Sequence, residues 1–161
     1  MRHNRGMVAT ITFEPFPSAQ LAAWLKTMLV RYIDERVLAG ESVDEAQQNA
    51  NASKERLYPN GSPAPGHQIG RLRSQGQAVG ALWIGPTAND PDQWWVWEIV
   101  IDEEFRGRGF GRQAMLLAEE IARTNGASTI GLNVFGHNKT ARSLYLSLGF
   151  VESSVQMRKA L

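Results

Sequence analysis

The stretch Arg106-Gly107-Arg108-Gly109-Phe110-Gly111-Arg112 constrains this chain more than any other, because it separates two segments of different periodicity. Ahead of it, Trp95-Val96-Trp97-Glu98-Ile99-Val100-Ile101 is β-branched and aromatic, the composition of a buried strand. Behind it, Ala114, Leu117, Ala118, Ile121 and Ala122 recur at helical spacing. The order is therefore strand, glycine turn, helix. Glycines let backbone N–H groups come close to a ligand, and a helix start carries unsatisfied donors with partial positive charge, so the guest this turn suits is a phosphate group.

Two standard phosphate-binding patterns do not fit. The glycine spacing is not the dinucleotide fingerprint, and no Gly-Lys-Ser/Thr closes the turn as in a P-loop. What it does match is Arg-x-x-Gly-x-Gly, with Arg106, Gly109 and Gly111. In this it resembles the acyl-CoA-binding motif of the GNAT superfamily of acyl-CoA-dependent N-acyltransferases. The resemblance runs on through Leu132-Asn133-Val134-Phe135, Asn138, Ala141, Leu144-Tyr145 and Gly149-Phe150, and covers roughly residues 78 to 158.

Composition narrows the function classes. A chain of 161 residues fits one domain, 1–161, with residues 1–6 read as a disordered extension. The net charge is +1, from 17 basic and 16 acidic side chains, which predicts no nucleic-acid partner and no electrostatic pull toward a membrane. Arg106, Arg108 and Arg112 nevertheless cluster at the proposed anion seat. There is no cysteine, which excludes disulfides, thiolate metal sites and a cysteine nucleophile. His3, His67 and His137 are too scattered for a metal motif, so no metal is expected. The basic start is too short and polar for a signal peptide, and no apolar run is long enough to span a bilayer, so the expected location is cytoplasmic.

Taken in order, Thr10 to Phe13 reads as an edge strand stopped by Pro15 and Pro17. Ser18 is the expected cap of a helix striped by Leu21, Leu25, Met28, Leu29, Tyr32 and Ile33 and ended by Gly40. Ser42 and Glu45 form a capping box for a second helix to about Leu57, whose apolar marks Val43, Ala46, Ala50 and Leu57 are sparse. After a Pro/Gly-rich loop, strands follow from His67 to Arg73 and from Ala78 to Ile84, joined by a hairpin turn. Past the long helix, Asn125-Gly126 is a C-cap and Ser128 to Phe135 a further strand. Asn138 caps a last helix ended by Gly149, and Phe150 to Met157 reads as a final strand. This is an α+β domain with a mixed, mainly antiparallel sheet and helices on both faces. The GNAT resemblance implies the same architecture, with a V-shaped splay between two central parallel strands where the pantetheine arm of the cofactor lies.

If the turn seats the CoA diphosphate, the backbone of Arg106, Gly107, Arg108, Gly109, Gly111 and Arg112 supplies the hydrogen bonds. The resemblance adds backbone groups of Ile99 and Ile101 for the pantetheine, although both side chains read equally as core. It also implies acetyl-CoA as acyl donor and a small-molecule or peptide amine as acceptor. The reaction would be direct attack of the neutral amine on the thioester in a ternary complex. Relatives of this kind are often homodimers. Because a free amine is mostly protonated at neutral pH, a base must remove one proton. Glu98 is the candidate: it is the only carboxylate in an apolar strand, and burial raises a carboxyl pKa toward the useful range. A strand glutamate can equally face solvent or pair with an arginine. Tyr145 matches the family tyrosine that protonates the departing thiolate, and it also lies on the apolar stripe of its helix. Asn138 is a helix cap by pattern and a CoA contact by resemblance. Asn133 departs from the family, where a glutamate is common, which argues against a base on that strand. A CoA-binding module without turnover and an enzyme for longer acyl chains are the rival readings.

Overall fold

The computed structural model describes residues 10–161, so the extension expected at residues 1–6 lies outside the described residues. The chain forms β1 (Ile11–Pro15), α1 (Ser18–Leu38), α2 (Val43–Leu57), β2 (Gln68–Ser74), β3 (Gln77–Pro86), β4 (Gln93–Ile101), α3 (Phe110–Thr124), β5 (Thr129–Leu132) and α4 (Lys139–Ser147). The sheet runs β1-β2-β3-β4-β5, antiparallel from β1 to β4 and parallel between β4 and β5. That is the mixed, mainly antiparallel sheet expected from the sequence. By packing, the described chain divides into two compact units, one holding residues 10–15 and Gln68–Ile130, the other Phe16–His67 and Gly131–Leu161.

The first unit is built on β3, which is buried from Val79 to Gly85 because strands cover both its edges and apolar side chains leave from both its faces. Leu82 and Ile84 have no exposed surface and Trp83 almost none. Gly80 is required where β3 meets the end of β4, since a Cβ there would collide with the carbonyl oxygen of Val100. α3 turns Phe110, Ala114, Met115, Ala118 and Ala122 inward at helical spacing, against β1, β3 and β4. The small alanines let the helix lie close to the strands. Gln113 adds a polar tie, its Oε1 accepting from the Ile11 N–H at 3.2 Å.

The second unit packs α1 against α2. α1 buries Leu21, Leu25 and Met28, whereas α2 buries only Ala46 and Ala50, and Val43, expected on its apolar stripe, is 63% exposed. A helix with so thin a stripe depends on its caps. The expected box forms: the Glu45 N–H donates to Ser42 Oγ, and the Ser42 N–H donates to Glu45 Oε2 at 2.9 Å. Hydrogen bonds from Ser42, its backbone N–H first, hold the Glu45 carboxyl below its ordinary range. Between the helices, Arg36 grips Glu41 through Nε at 2.8 Å and Nη2 at 2.7 Å, and Asn49 donates to the same carboxylate at 3.2 Å. One carboxylate thus joins the end of α1 to α2.

Three expectations are corrected. Ser18 is the first residue of α1 rather than its cap: Pro17 holds the cap position, and its carbonyl accepts from the amides of Gln20 and Leu21. The strand expected from Ser128 to Phe135 is confined to Thr129–Leu132. The segment from Phe150 to Met157 forms no strand, because no strand among the described residues pairs with it. Asn125 and Gly126 do close α3, with Gly126 left-handed at φ 88°.

The Arg36–Glu41 pair gives a pH-dependent outcome. The hydrogen bond from Arg36, opposed by desolvation and aided by Asn49, holds the Glu41 carboxyl below its ordinary 4.5. A depressed folded-state value means stability that is present above the unfolded value and lost as pH falls through the folded one. Glu41→Gln is expected to cost about 1 kcal/mol in urea unfolding at pH 7, and the gap to the parent chain should close below pH 4.5. A gap independent of pH would contradict this origin.

Candidate functional site

The site starts with an irregularity in β4. Trp83 of β3 lies opposite Glu98, but the next residue, Ile84, lies opposite Val96, so Trp97 is an extra residue on β4. This is a β-bulge, and it reverses the alternation of the strand. Cross-strand partners share a face, so Trp94, Val96, Ile99 and Ile101 lie with Pro86, Ile84, Leu82 and Gly80, while Trp95, Glu98 and Val100 lie with Gly85, Trp83 and Ala81. Were Trp97 paired in a regular ladder instead of bulged, Glu98 would share a face with the buried Trp94 and Val96. With the bulge, Glu98 is half-buried on the other face, and the rings of Trp95 and Trp97 lie 6.1 Å apart. Nothing in the composition of this strand announces a bulge.

The chain then turns through a short 3₁₀ segment, Glu103–Phe105, fixed at its start by the Asp102 N–H donating to the Val79 carbonyl at 2.9 Å. The amides of Phe105 and Arg106 are used internally, on the carbonyls of Asp102 and Glu103. Arg106 also folds its side chain back, Nε donating to the Ile101 carbonyl at 2.9 Å. Arg106 therefore closes the turn with both its amide and its guanidinium, and the seat expected from Arg106 onward has its amides from Gly107 onward.

Gly107 and Gly109 have φ of 72° and 82°, the left-handed region that side chains with a Cβ avoid. Gly109 holds the cap position of α3 and, lacking a side chain, leaves the first turn of the helix uncapped. Among the described residues, no carbonyl accepts from the amides of Gly107, Arg108, Gly109, Phe110 or Gly111. These five donors lie on the positive end of a 15-residue helix. Gly107 and Gly109 are not crowded: a Cβ placed on either would meet nothing within 4 Å, so their φ rather than lack of space calls for glycine. Arg106, Arg108 and Arg112 are exposed around the turn, with the Arg108 guanidinium 5.5 Å from the Phe105 ring centre. Phe110 itself is buried under the turn, edge-on to Phe105 at 6.3 Å, which anchors the first helical residue.

Ile99 and Ile101 are half-buried on the same face of β4 and lead straight into this turn. The structure thus gathers Ile99, Ile101 and Arg106 to Arg112 in one strand-turn-helix element of the first unit. Asn138 and Tyr145 belong to the second unit, seven residues apart along α4 and so on one side of it. Asn138 caps α4, its Oδ1 accepting from the Ala141 N–H at 3.1 Å. Tyr145 is half-buried, with its ring 5.9 Å from that of Phe150. The sequence reading missed the bulge, the Arg106 tie and the Gln113 bond to β1; only Arg106 could have been suspected, as the first residue of its motif. Among the described residues no cluster of His, Cys, Asp or Glu could hold a metal ion, and no helix is long and apolar enough to cross a membrane.

Residues 41–150, which include this strand, turn and helix, match the model of the GNAT acetyltransferase family. The chain belongs to it and is an acyl-CoA-dependent acetyltransferase. It is 33% identical over 155 residues to YycN of Bacillus subtilis (strain 168), an uncharacterized N-acetyltransferase, across 94% of this chain and 99% of that one. It is 28% identical over 153 residues to YdgE of the same organism, also named an N-acetyltransferase, across 93% and 98%. The crystal structure of YycN superposes with a TM-score of 0.85 at 32% identity, again over 94% and 99%. The aminoglycoside acetyltransferase AAC(6')-Iy, in complex with a bisubstrate analog of CoA, shares the fold with a TM-score of 0.55 at 14% identity, over 95% of this chain and 100% of that one.

Proposed function

We propose that this protein moves an acetyl group from acetyl-CoA to a primary amine, carried by a small molecule or a peptide, by direct attack while both are bound. The observation that carries this reading is the set of five unengaged amides from Gly107 to Gly111 at the mouth of α3. Buried or ordered backbone donors seek acceptors, and a diphosphate offers several oxygens and the negative charge that a helix start favours. When bound, acetyl-CoA supplies the activated acetyl group. The residues of the chain do the rest. Arg108 and Arg112 lend charge to the seat, and Arg106 keeps its shape by holding the Ile101 carbonyl. Ile99 and Ile101 offer backbone groups to the pantetheine arm, and Asn138 contacts the same arm while capping α4.

For the chemistry, Glu98 takes a proton from the incoming ammonium, directly or through water. The amine nitrogen then bonds to the acetyl carbon, the C–S bond breaks, the Tyr145 hydroxyl gives its proton to the departing sulfur, and the surplus proton on the nitrogen passes through water to the tyrosinate, which leaves amide, thiol and neutral tyrosine. The bulge at Trp97 supports the role of Glu98, because bulges re-aim side chains next to active sites. The ring pair of Trp95 and Trp97 on the same strand suits an apolar wall for the acceptor. The reaction is placed in the cytoplasm.

The reading is tested by thiol release from acetyl-CoA across a panel of amines. Release with at least one amine, and acetylated product by mass spectrometry, is expected; CoA affinity without release on any amine would leave only a binding module. Glu98→Gln should lower kcat/KM by about 10²-fold or more at neutral pH, and activity unchanged at all pH values would remove it as the base. Tyr145→Phe should lower kcat more than it weakens CoA binding, by about tenfold or more, and an unchanged kcat would return the tyrosine to packing alone. Gly109→Val forces a β-branched residue to φ 82° and re-aims the amides. It should weaken CoA binding in calorimetry by at least about tenfold with the circular dichroism of a folded chain; retained affinity would count against the seat.

A further inference from the structure

We propose that the cleft between the first half of α1 and the end of α2 binds a small apolar carboxylate, held at its charged end by Lys26 and Lys54. Ala22, Leu25, Lys26 and Leu29 recur at intervals of three and four, so they share one side of α1. Facing them are Lys54, Glu55 and Tyr58 at the end of α2, and the 3₁₀ turn Pro59–Gly61. All belong to the second unit, and the cleft they line has a volume of about 600 Å³, within the range of small-molecule sites. Its far wall is held by the chain itself. The Tyr58 and Ala64 amides donate to the Lys54 and Leu57 carbonyls at 2.8 and 2.9 Å, and the Ser62 amide to that of Pro59 at 3.1 Å. These bonds keep Asn60 at φ 54°, a left-handed conformation uncommon outside glycine. A preformed wall spares a ligand the cost of ordering it.

The lining is apolar at the floor and basic at the rim. Leu25 is buried and Leu29, Tyr58 and Pro59 are half-buried, whereas Lys26 and Lys54 are exposed. A lysine lays its methylenes along apolar surface and keeps its ammonium in water, which leaves both charges at the mouth. Among the described residues, neither ammonium has a hydrogen bond or an ion pair. Lys54 has a structural use, since a cation in the last turn of α2 complements the helix dipole. Lys26 has no such use: it lies well inside α1, and no acid stands three or four residues from it in either direction. Glu55 is the one acid among the lining residues, so the cleft keeps a net positive charge. That charge opposes an amine and favours an anion. A carboxylate has two oxygens to share between two flexible ammonium groups, and an apolar chain behind it would cover Leu25 and Leu29. The cleft takes no residue from the strand, turn and helix proposed for acetyl-CoA, nor Glu98, Asn138 or Tyr145, so it can be filled whether or not the chain acetylates an amine.

The experiment is an amide NMR titration of the full chain with octanoate and with octanamide, its neutral counterpart of equal length, each repeated with CoA present. Octanoate is expected to move the amides of residues 22–29 and 54–61, and to bind about tenfold or more tighter than octanamide. Lys26→Gln and Lys54→Gln should each weaken octanoate by at least about threefold and leave octanamide unchanged, while Lys26→Arg, which keeps the charge, should retain binding. CoA should leave the octanoate affinity as it was. The proposal is overturned if those amides do not move, if octanamide binds as tightly as octanoate, or if the glutamine variants bind octanoate like the parent chain. Displacement of octanoate by CoA also overturns it, by placing the carboxylate at the donor site.

Discussion

Among the described residues, five backbone donors from Gly107 to Gly111 have no carbonyl partner, and much of the first unit is arranged so that they stay that way. A helix start always leaves orphan amides, and most proteins silence them with a serine, threonine or aspartate cap. Here the cap position is Gly109, which has no side chain to offer. What would otherwise collapse the turn onto itself is blocked from both ends. Upstream, Asp102 is held to Val79 and Arg106 to Ile101, so the strand side cannot shift to lend a carbonyl. Downstream, Phe110, Ala114 and Met115 are buried against the sheet, so the helix cannot rotate to find one. The turn thus keeps these amides free of carbonyl partners among the described residues.

That logic explains which parts of the molecule were legible in the sequence. The turn was, because glycines at fixed offsets from an arginine, between a β-branched run and an alanine-rich helix, leave few other readings. The capping box at Ser42 and Glu45 and the Asn138 cap were also legible, since a short polar side chain three residues from its target is a local event. Local chemistry survives without knowledge of the fold. The bulge at Trp97 was not legible: it is defined by the register of β4 against β3, and a run of Trp, Val, Glu and Ile reads the same with or without it. The expected use of Val43 in the core failed for a related reason. At the first position of α2 its side chain follows the helix into solvent, whatever its own preference. Arg106 has a structural use that the motif does not announce. The motif marks it as a site residue, whereas in the fold its guanidinium serves the strand.

The bulge also links burial to chemistry. A regular β4 would carry Glu98 on the face of Trp94 and Val96, both nearly inaccessible, where an ionised carboxylate without a partner costs far more than it contributes. The register shift places Glu98 on the opposite face at partial exposure and, by the same step, brings Ile99 and Ile101 onto the face of Trp94 and Val96. The irregularity lets one strand keep Ile99 and Ile101 on the face of Trp94 and Val96 while Glu98 lies on the other. The extra residue being a tryptophan is consistent with this. Its ring reaches that of Trp95, so the distortion is supported by aromatic contact rather than left as a weak point in the sheet.

The second unit reaches order by a different route. α2 buries two alanines and α4 has no fully buried residue, so apolar burial alone is a thin basis for holding either helix. Polar closures carry more of the burden: the Arg36–Glu41–Asn49 junction, the box at Ser42, and the 2.5 Å contact between His137 and Glu35, which ties the segment after β5 to α1. Hydrogen bonds of this kind fix direction but contribute less than a packed side chain, and they are open to competition from water and solutes. Elements held this way are the ones expected to open first, well below global unfolding. The first unit is held differently: the strand and helix on either side of the glycine turn rest on a core whose residues Leu82, Ile84, Ala114, Met115 and Ala118 have no exposed surface.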